Sequence, residues 1–198
     1  MNSAQGRLVI ISGPSGVGKS TVLKRLMSQC ELPLVLSVSA TTRPSREFEQ
    51  DGVDYHFVTD AEFAASRQAD AFLECCEVFG RGSWYGTLKS EVDASLEAGK
   101  WVILEIDVEG AAKVVEIHPG VITIFVGLRS LDEIEQRLRD RGTEDDEMIR
   151  RRLRTAETEL QRAASYQHFV INDFVDRAAS EICDILKQSF PTGGATDA

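Results

Sequence analysis

Apolar residues occur along this chain in short blocks with the lengths and spacings of buried strands and amphipathic helices. Residues 7–12 form an apolar, β-branched run that predicts a buried strand, and residues 21–27 are apolar at helical spacing. Further runs that predict strands lie at 34–39, 55–58, 71–74, 77–79, 101–107, 121–126 and 169–171. Because the longer strands alternate with helical segments, we expect an α/β fold built on a parallel sheet.

The predicted helices are marked by capping patterns and by apolar spacing. Residues 59–62, Thr-Asp-Ala-Glu, have the form of a capping box and predict a short helix toward residue 67. Residues 130–133, Ser-Leu-Asp-Glu, open another helix in the same way. Two more helices are predicted near 108–116 and 175–188.

Residues 40–90 differ in pattern from the rest of the chain. The stretch 40–52 is polar and rich in turn-forming residues, so we expect a loop there and not a core element. The strands predicted within 55–79 are short. We therefore expect small strands and turns that are inserted, as a flap, into a larger α/β core.

The composition is that of a single globular domain. The 198 residues are 42% hydrophobic, which is enough for a buried core that folds alone. The 22 Lys and Arg residues against 32 Asp and Glu residues give a net charge of −10, the wrong sign for nonspecific binding to nucleic acid or an anionic membrane. Neither is therefore expected as a partner. With no signal-peptide pattern and no apolar run long enough to span a bilayer, we expect a cytoplasmic protein.

The cysteines do not suggest a metal site or a disulfide framework. The chain has four of them, Cys30, Cys75, Cys76 and Cys183, with neither C-x-x-C spacing nor neighbouring histidines. We therefore expect all four thiols to be reduced and to serve mostly in packing.

Residues 13–20, Gly-Pro-Ser-Gly-Val-Gly-Lys-Ser, match the P-loop pattern G-x-x-x-x-G-K-[ST] and lie between a predicted strand and a predicted helix. The glycines allow consecutive backbone N–H groups to turn toward an anion, and the helix N-terminus adds its positive dipole end. Lys19 supplies a mobile cation, and the Ser20 hydroxyl can ligate Mg²⁺. The sequence therefore predicts a phosphate-binding site here.

Arginines are concentrated between residues 137 and 154 of this acidic chain. Most of them fit a solvated, salt-bridged helix face. Beside a P-loop, however, fixed guanidinium groups can neutralise the charge on three phosphate oxygens during phosphoryl transfer. Asn172 follows the strand predicted at 169–171, and ligands bind at this end of the strands in open parallel sheets. We therefore expect Asn172 and some of these arginines to belong to a site.

Beyond the P-loop, a series of motifs resembles those of the guanylate kinase family, over residues 7 to about 185. The segment 37–43, Ser-Val-Ser-Ala-Thr-Thr-Arg, followed by Arg46, Glu49, Gly52 and Tyr55, is similar to the family's nucleotide-binding segment. The other family motifs follow in order at 72–74, 85–87, 106–110, 141–143, 152–153 and 171–173. The resemblance implies a three-layer P-loop core with a central parallel sheet, an inserted small α+β subdomain that binds GMP, and a helical lid.

The domain organisation that follows is a single domain over residues 1–198. Its core would comprise 7–37, 91–136 and 156–189, with a GMP-binding insertion at 38–90, a lid at 137–155 and a disordered tail at 190–198.

The resemblance also implies roles for individual residues. GMP would be bound through its phosphate by Arg43, Arg46, Tyr55 and Tyr85, and through guanine by Ser39, Glu74 and Thr87. ATP would be bound by Gly13, Pro14, Ser15, Gly16, Val17, Gly18, Lys19, Ser20, Thr21 and Asn172. The catalytic residues would be Lys19, Arg137, Arg141 and Arg152, with Ser20 on Mg²⁺ and Asp107 orienting GMP or the waters of the metal. The implied reaction is Mg²⁺-assisted transfer of the γ-phosphoryl group of ATP to GMP, and to dGMP.

Three departures from the family pattern affect loops. Phe48 stands where the family usually has glycine, and Pro44 lies one place early. The segment before Tyr85 is two residues longer than usual, and residues 127–130 lack the paired prolines that usually precede the lid helix.

Three other functions share part of this pattern. A signalling GTPase is disfavoured because the chain has no N-K-x-D motif for reading guanine. Two alternatives stay open, a related P-loop kinase that acts on another phosphorylated acceptor and a noncatalytic guanylate-kinase-like binding module. The sequence does not indicate whether the protein is a monomer or a homo-oligomer.

Overall fold

The structure is a computed structural model that describes residues 6–77, 82–140 and 145–189. The chain divides into two compact units, one of Met1–Ser12 with Pro33–Thr123 and the other of Gly13–Leu32 with Ile124–Ala198. Three sequence-based expectations fall outside the described residues: the catalytic role of Arg141, most of the strand at 77–79, and the disordered tail at 190–198.

Strands and helices alternate through most of the described chain. The strands are β1 (Arg7–Ser12), β2 (Leu34–Leu36), β3 (Ala40–Thr41), β4 (His56–Phe57), β5 (Phe72–Glu77), β6 (Trp84–Leu88), β7 (Trp101–Glu105), β8 (Ile122–Gly127) and β9 (His168–Ile171). The helices are α1 (Lys19–Gln29), α2 (Asp60–Gln68), α3 (Lys89–Glu97), α4 (Val108–Ile117), α5 (Leu131–Asp140), α6 (Asp146–Gln161) and α7 (Val175–Gln188).

In the first unit, strands β2, β7 and β1 form a parallel sheet in that order. Leu8 of β1 pairs with Val102 of β7, and the interior of both strands is buried. Helix α3 packs against β7, and α4 packs against β1. The continuous apolar runs in these strands reflect this burial, because strands of a parallel sheet are usually covered on both faces.

The first unit also contains a four-stranded sheet in the order β4-β3-β6-β5. Strand β3 is parallel to β4 and antiparallel to β6, and β5 is antiparallel to β6. Helix α2 begins with the predicted capping box and stacks Phe63 on Phe72 of β5, with ring centroids 4.4 Å apart. This small sheet therefore has a separate apolar cluster, which includes Ala40 of β3.

In the second unit, β8 and β9 pair in parallel over Ile124–Gly127, and α1 packs on α7. Helix α7 has the predicted bounds and buries Ala178, Ile182 and Leu186. The paired strands of this unit, like the three-stranded sheet of the first, are parallel, which confirms the α/β prediction.

Several local predictions within residues 40–90 were wrong. Ala40 and Thr41 form strand β3 and are 2% and 0% exposed, although this polar stretch was expected to be a loop. Strand β5 runs unbroken through Cys75 and Cys76, where two separate strands were expected. In both places the pairing with β6 sets the backbone, and this long-range contact leaves little trace in the local pattern.

The cysteine prediction was also wrong, because Cys30 and Cys183 form a disulfide with Cα atoms 5.8 Å apart. Cys30 directly follows α1 and Cys183 lies in α7, so the packing of these two helices brings the residues together. Because 153 residues separate the two cysteines, no local pattern indicates that they pair. Cys75 and Cys76 are free thiols.

None of the described helices is both long enough and apolar enough to cross a membrane.

Candidate functional site

The P-loop between β1 and α1 has the backbone that its glycines predict. Gly13, Gly16 and Gly18 all have positive φ angles, of 151°, 91° and 89°. A Cβ atom on Gly13 would overlap the carbonyl oxygen of Val126 at the end of β8. Glycine is therefore required at position 13 both for its backbone angle and for the close approach of another strand.

Lys19 lies over the loop that precedes it. Its Nζ donates hydrogen bonds to the carbonyl oxygens of Gly13 at 2.6 Å and Pro14 at 3.2 Å. The N–H groups of Thr21 and Val22 bond to the Gly18 carbonyl at 3.1 Å and begin helix α1. The loop thus combines an ammonium group with the N-terminus of an 11-residue helix, and both attract anions.

Two polar side chains hold the Val17 carbonyl of this loop. Arg137 Nη1 donates to it at 2.9 Å and Asn172 Nδ2 at 2.7 Å, while Arg137 Nη2 donates to the backbone oxygen of Asn172 at 2.8 Å. Asn172 is 1% exposed, and its Oδ1 atom has no hydrogen-bond partner in the described part of the chain. The structure therefore brings Arg137 and Asn172 to the P-loop, as expected.

Two further arginines of the 137–154 cluster, Arg152 and Arg139, have different contacts. Arg152 Nη1 donates to Ser15 Oγ of the P-loop at 3.3 Å. Arg139 instead forms exposed ion pairs with Glu135 and Asp146, at 2.8 and 2.6 Å. Arg139 is thus one of the solvated, salt-bridged arginines that the charge pattern predicts, whereas Arg152 reaches the loop.

In the first unit, Arg43 is the centre of a dense polar cluster. Its Nη1 and Nη2 atoms donate to the two carboxylate oxygens of Glu49 at 2.9 Å, and its Nε donates to the Tyr85 hydroxyl at 3.1 Å. Nη1 also donates to the Pro44 carbonyl at 2.7 Å. The paired hydrogen bonds raise the pKa of Arg43 and lower that of Glu49. Both groups are therefore held in their charged forms.

Tyr55 closes one side of this cluster. Its ring lies edge-on to Tyr85 with centroids 5.8 Å apart, and the Arg43 guanidinium lies 5.4 Å from its centre. Burial and, next, the charge of Glu105 raise the pKa of Tyr55 to about 12. Tyr55 consequently keeps its proton and can donate a hydrogen bond throughout the neutral range. Arg46 lies at the rim with a 69% exposed side chain, 3.8 Å from Glu49.

Glu74 is a buried carboxylate in the small sheet. It pairs in register with Thr87, whose hydroxyl donates to Glu74 Oε1 at 2.8 Å. Its second oxygen, Oε2, has no hydrogen-bond partner among the residues that the structure describes, although Glu74 is only 6% exposed. Burial raises the pKa of Glu74, and the hydrogen bond from Thr87 opposes this shift. The structure thus joins Glu74 and Thr87, as expected, and leaves the other carboxylate oxygen buried and unpaired in the described part of the chain.

Asp107 caps helix α4 close to Glu74. Its Oδ1 accepts the Gly110 N–H at 2.7 Å, and its Oδ2 accepts the Cys76 thiol at 3.3 Å. Ser39 precedes β3 and is positioned by its carbonyl, which accepts the His56 N–H at 2.9 Å. The expected acceptor-binding residues therefore all belong to the first unit, whereas the described P-loop residues, Arg137, Arg152 and Asn172 belong to the second.

Two residues of these clusters, Glu49 and Cys76, were not predicted to belong to a site. Glu49 was part of a family motif, but its hydrogen bonds to Arg43 become visible only in the folded loop. An acidic residue within an arginine-bearing segment is the signal that could have identified it. Cys76 was assigned to packing, and nothing in its sequence context indicates its contact with Asp107.

Comparison with known proteins identifies the family of this chain. A family model described as guanylate kinase matches residues 5–189. A guanylate kinase of Rhodopirellula baltica is 55% identical over 182 residues, covering 91% of this chain and 87% of that protein, and one of Caldanaerobacter subterraneus is 45% identical, covering 92% and 87%. The crystal structure of guanylate kinase from Anaplasma phagocytophilum, 29% identical, matches with a TM-score of 0.78 over 96% of this chain and 89% of that one, which confirms the predicted fold class. This chain therefore belongs to the guanylate kinase family.

Proposed function

We propose that this protein transfers the γ-phosphoryl group of Mg·ATP to the phosphate of GMP, and of dGMP, giving ADP and the guanosine diphosphate. Its membership of the guanylate kinase family supports the reaction class. The charged clusters of the two units supply the chemistry that each substrate needs. Residues 38–90 are proposed as the acceptor-binding region and residues 137–155 as the lid.

The observation that carries the choice of guanine is the unpaired carboxylate oxygen of Glu74. Guanine presents N1–H and N2–H₂ as adjacent donors, which a carboxylate can accept together. Adenine presents an acceptor at N1, which would leave the buried carboxylate facing a lone pair. Thr87 fixes the carboxylate through Oε1 while Oε2 has no partner in the described chain, so the group is held in place with an oxygen to offer. Sites that rely on such buried hydrogen bonds discriminate strongly between ligands.

The phosphate of GMP is assigned to the Arg43 cluster. Arg43 and Arg46 supply positive charge, and Tyr55 and Tyr85 supply hydroxyl groups. Four of the five N–H groups of Arg43 already have protein acceptors, one on Nε, two on Nη1 and one on Nη2. Its guanidinium is therefore held in one orientation. A guanidinium that is fixed in this way can orient the acceptor phosphate for in-line attack.

The triphosphate of ATP is assigned to the P-loop. In this proposal the Lys19 ammonium exchanges its carbonyl contacts for phosphate oxygens, since it can reach Gly13 and Pro14 across the loop. Arg137 and Arg152, which contact the loop, neutralise charge on the transferred group together with Arg141. The buried Oδ1 of Asn172 is a hydrogen-bond acceptor suited to the amino group of adenine.

Mg²⁺ is the metal that this donor set fits. Among the described residues no group of three His, Cys, Asp or Glu side chains could hold a metal ion, so protein carboxylates there do not form a cage. Mg²⁺ that is held by phosphates and water needs few protein ligands, and the hydroxyl of Ser20, in the first turn of α1, can be one. When bound, the ion neutralises charge on the β- and γ-phosphates.

No general base is required of this chain. The acceptor is a phosphate monoester whose oxygens are largely ionised at neutral pH, so the work is positioning and charge neutralisation. Because the proposed role of Lys19 is to bind phosphate oxygens, Lys19→Ala is expected to abolish transfer without unfolding the protein.

The test is ADP formation from Mg·ATP with GMP, dGMP, AMP, CMP and UMP as acceptors. We expect turnover with GMP and dGMP only. Glu74→Gln should lower kcat/KM for GMP by about 100-fold and leave the KM for ATP nearly unchanged. Glu77→Gln, an exposed glutamate on the same strand, is the matched control and should behave as wild type. Absence of turnover with every acceptor from folded, ATP-binding protein would favour a binding module or a kinase for another acceptor.

A further inference from the structure

Cys76 lies in β5 two residues after Glu74. The two side chains lie on the same face of the strand, because side chains alternate along it. Cys75 points to the other face and packs against the apolar cluster of Ala40, Phe63 and Phe72. Cys76 is 8% exposed and donates its thiol hydrogen to Asp107 Oδ2 at 3.3 Å. Of the two adjacent cysteines, Cys76 therefore contacts the carboxylate of Asp107, whereas Cys75 belongs to the apolar cluster.

The Asp107 carboxylate is fixed through both of its oxygens. Oδ1 accepts the Gly110 N–H at 2.7 Å, which is the N-terminal cap of helix α4, and Oδ2 accepts the Cys76 thiol. Without the thiol, the only hydrogen bond described for this carboxylate is the cap, about which the second oxygen can rotate. The thiol contact thus determines where Oδ2 points.

The carboxylates of Asp107 and Glu74 both lie close to Gly110. A Cβ atom on Gly110 would lie 2.8 Å from Glu74 Oε2 and 3.3 Å from Asp107 Oδ1. The glycine therefore leaves room for two carboxylates at one place, one of which has the unpartnered oxygen. Two neighbouring carboxylates suit a ligand edge with several adjacent N–H donors.

The thiol is suited to act as a donor in this position. Burial and, next, the charge of Asp107 raise the pKa of Cys76, so the sulfur keeps its proton at neutral pH. A protonated thiol can donate to the Asp107 carboxylate without adding a third negative charge beside Asp107 and Glu74.

We infer that Cys76 is a positioning residue for the guanine subsite, where its thiol holds the Asp107 carboxylate beside Glu74 so that both face the donor edge of the base. This inference rests on the proposed function. It assigns to Cys76 an effect on GMP binding that a packing residue of the same strand, such as Cys75, does not have.

The test compares Cys76→Ala and Cys76→Val, which remove the donor, with Cys76→Ser, which keeps one. Valine also fills the space, so a packing defect of the alanine variant does not stand in for the lost hydrogen bond. We expect the KM for GMP and its calorimetric Kd to rise roughly three- to tenfold in both apolar variants, and the KM for ATP to stay unchanged. Cys76→Ser should restore most of the affinity, and Cys75→Ala should match wild type.

A double-mutant cycle identifies the partner. In an Asp107→Ala background, Cys76→Ala should cause no further loss of GMP affinity, because the group it positions is absent. Fully additive losses, equal changes in the KM values for ATP and GMP, or a serine variant as weak as the alanine variant would each overturn the inference. Wild-type protein that does not use GMP would overturn the proposed function as well. Active wild type with unaffected apolar variants would overturn the inference alone.

Discussion

Glu49 accepts hydrogen bonds from Arg43 on both carboxylate oxygens, each 2.9 Å from a guanidinium nitrogen. The same carboxylate accepts the backbone N–H of Arg46 at 2.8 Å, so it ties the side chain of one arginine to the backbone of the other. Both members of the pair are mostly buried, with side chains 18% and 16% exposed. A bidentate, partly desolvated pair of this kind fixes geometry better than a surface ion pair does.

Glu49→Gln should therefore weaken the use of GMP. Glutamine keeps the shape but replaces one acceptor oxygen with a donor, so the guanidinium loses its fixed orientation. We expect kcat/KM for GMP to fall about tenfold, by loss of preorganisation, with the KM for ATP unchanged. Glu47→Gln, an exposed neighbour in the same loop, is the matched control. A lower KM for GMP in the Glu49 variant would show instead that Glu49 competes with the phosphate for Arg43.

Glu74→Gln should raise the free energy of unfolding at neutral pH. Burial raises the folded-state pKa of Glu74 above its ordinary value of 4.5, so the fold disfavours the ionised carboxylate. Below pH 4.5 the group is protonated in both the folded and unfolded states and carries no penalty. The penalty grows as the pH rises through the interval between the unfolded and folded pKa values, and it is complete above the folded value.

Because glutamine does not titrate, the gain in the free energy of unfolding from Glu74→Gln should grow with pH over that interval and then level off. Urea unfolding of both proteins between pH 4 and 8 measures the difference. A gain that stays constant with pH, or a variant that is less stable at pH 8, would contradict the raised pKa. The residue that we propose to read the base would then carry no cost in stability.

The sequence anticipated the elements whose signals are local. The P-loop follows from the spacing of its glycines and lysine, and helix α2 from the capping pair Thr59 and Glu62. Helix α3 and strand β6 were not predicted. Helix α3 has no side-chain N-cap hydrogen bond to mark its start, and β6 is defined by pairing with β3 and β5. Local patterns do not encode such distant partners.

In the candidate site, too, local patterns indicate the residues but not their contacts. Residue types and motif spacing sufficed to nominate Glu74 and Arg137, because their chemistry suits the substrates. Their actual partners could not be nominated, since the Val17 carbonyl that Arg137 holds lies 120 residues away in the chain. Which oxygen of Glu74 is paired likewise depends on its register opposite Thr87, which only the folded sheet fixes.

The disulfide between Cys30 and Cys183 leads to a prediction about stability. It links the end of the P-loop helix α1 to α7, alongside the ion pair of Arg25 with Asp176 at 2.7 Å. Because the bond closes a long loop and restricts the unfolded chain, its reduction should lower the free energy of unfolding by about 2–4 kcal/mol. For a chain of this length, that corresponds to a Tm lower by roughly 5–15 °C.

Calorimetry with and without dithiothreitol measures this difference. Cys183→Ser should give the lower Tm without reductant and show no further response to it. Cys75→Ser keeps the disulfide and should retain the full response. A wild-type Tm that is insensitive to reductant, with a Cys183→Ser variant of equal stability, would show that the bond contributes nothing.

Gly18 gives the sharpest test of the P-loop geometry. Its φ of 89° is unfavourable for any side chain, and a Cβ atom would lie 2.9 Å from Asn172 Nδ2 and 3.5 Å from Arg137 Nη1. Gly18→Ala should therefore lower the free energy of unfolding by about 1–3 kcal/mol and, by displacing the groups that hold the Val17 carbonyl, raise the KM for ATP at least about tenfold. Gly120→Ala is the control, because its Cβ would meet no atom within 4 Å and its stability should change by less than about 0.5 kcal/mol. Equal behaviour of the two variants in urea unfolding and ATP kinetics would mean that the backbone at Gly18 relaxes freely, and that Arg137 and Asn172 do not set the shape of the loop.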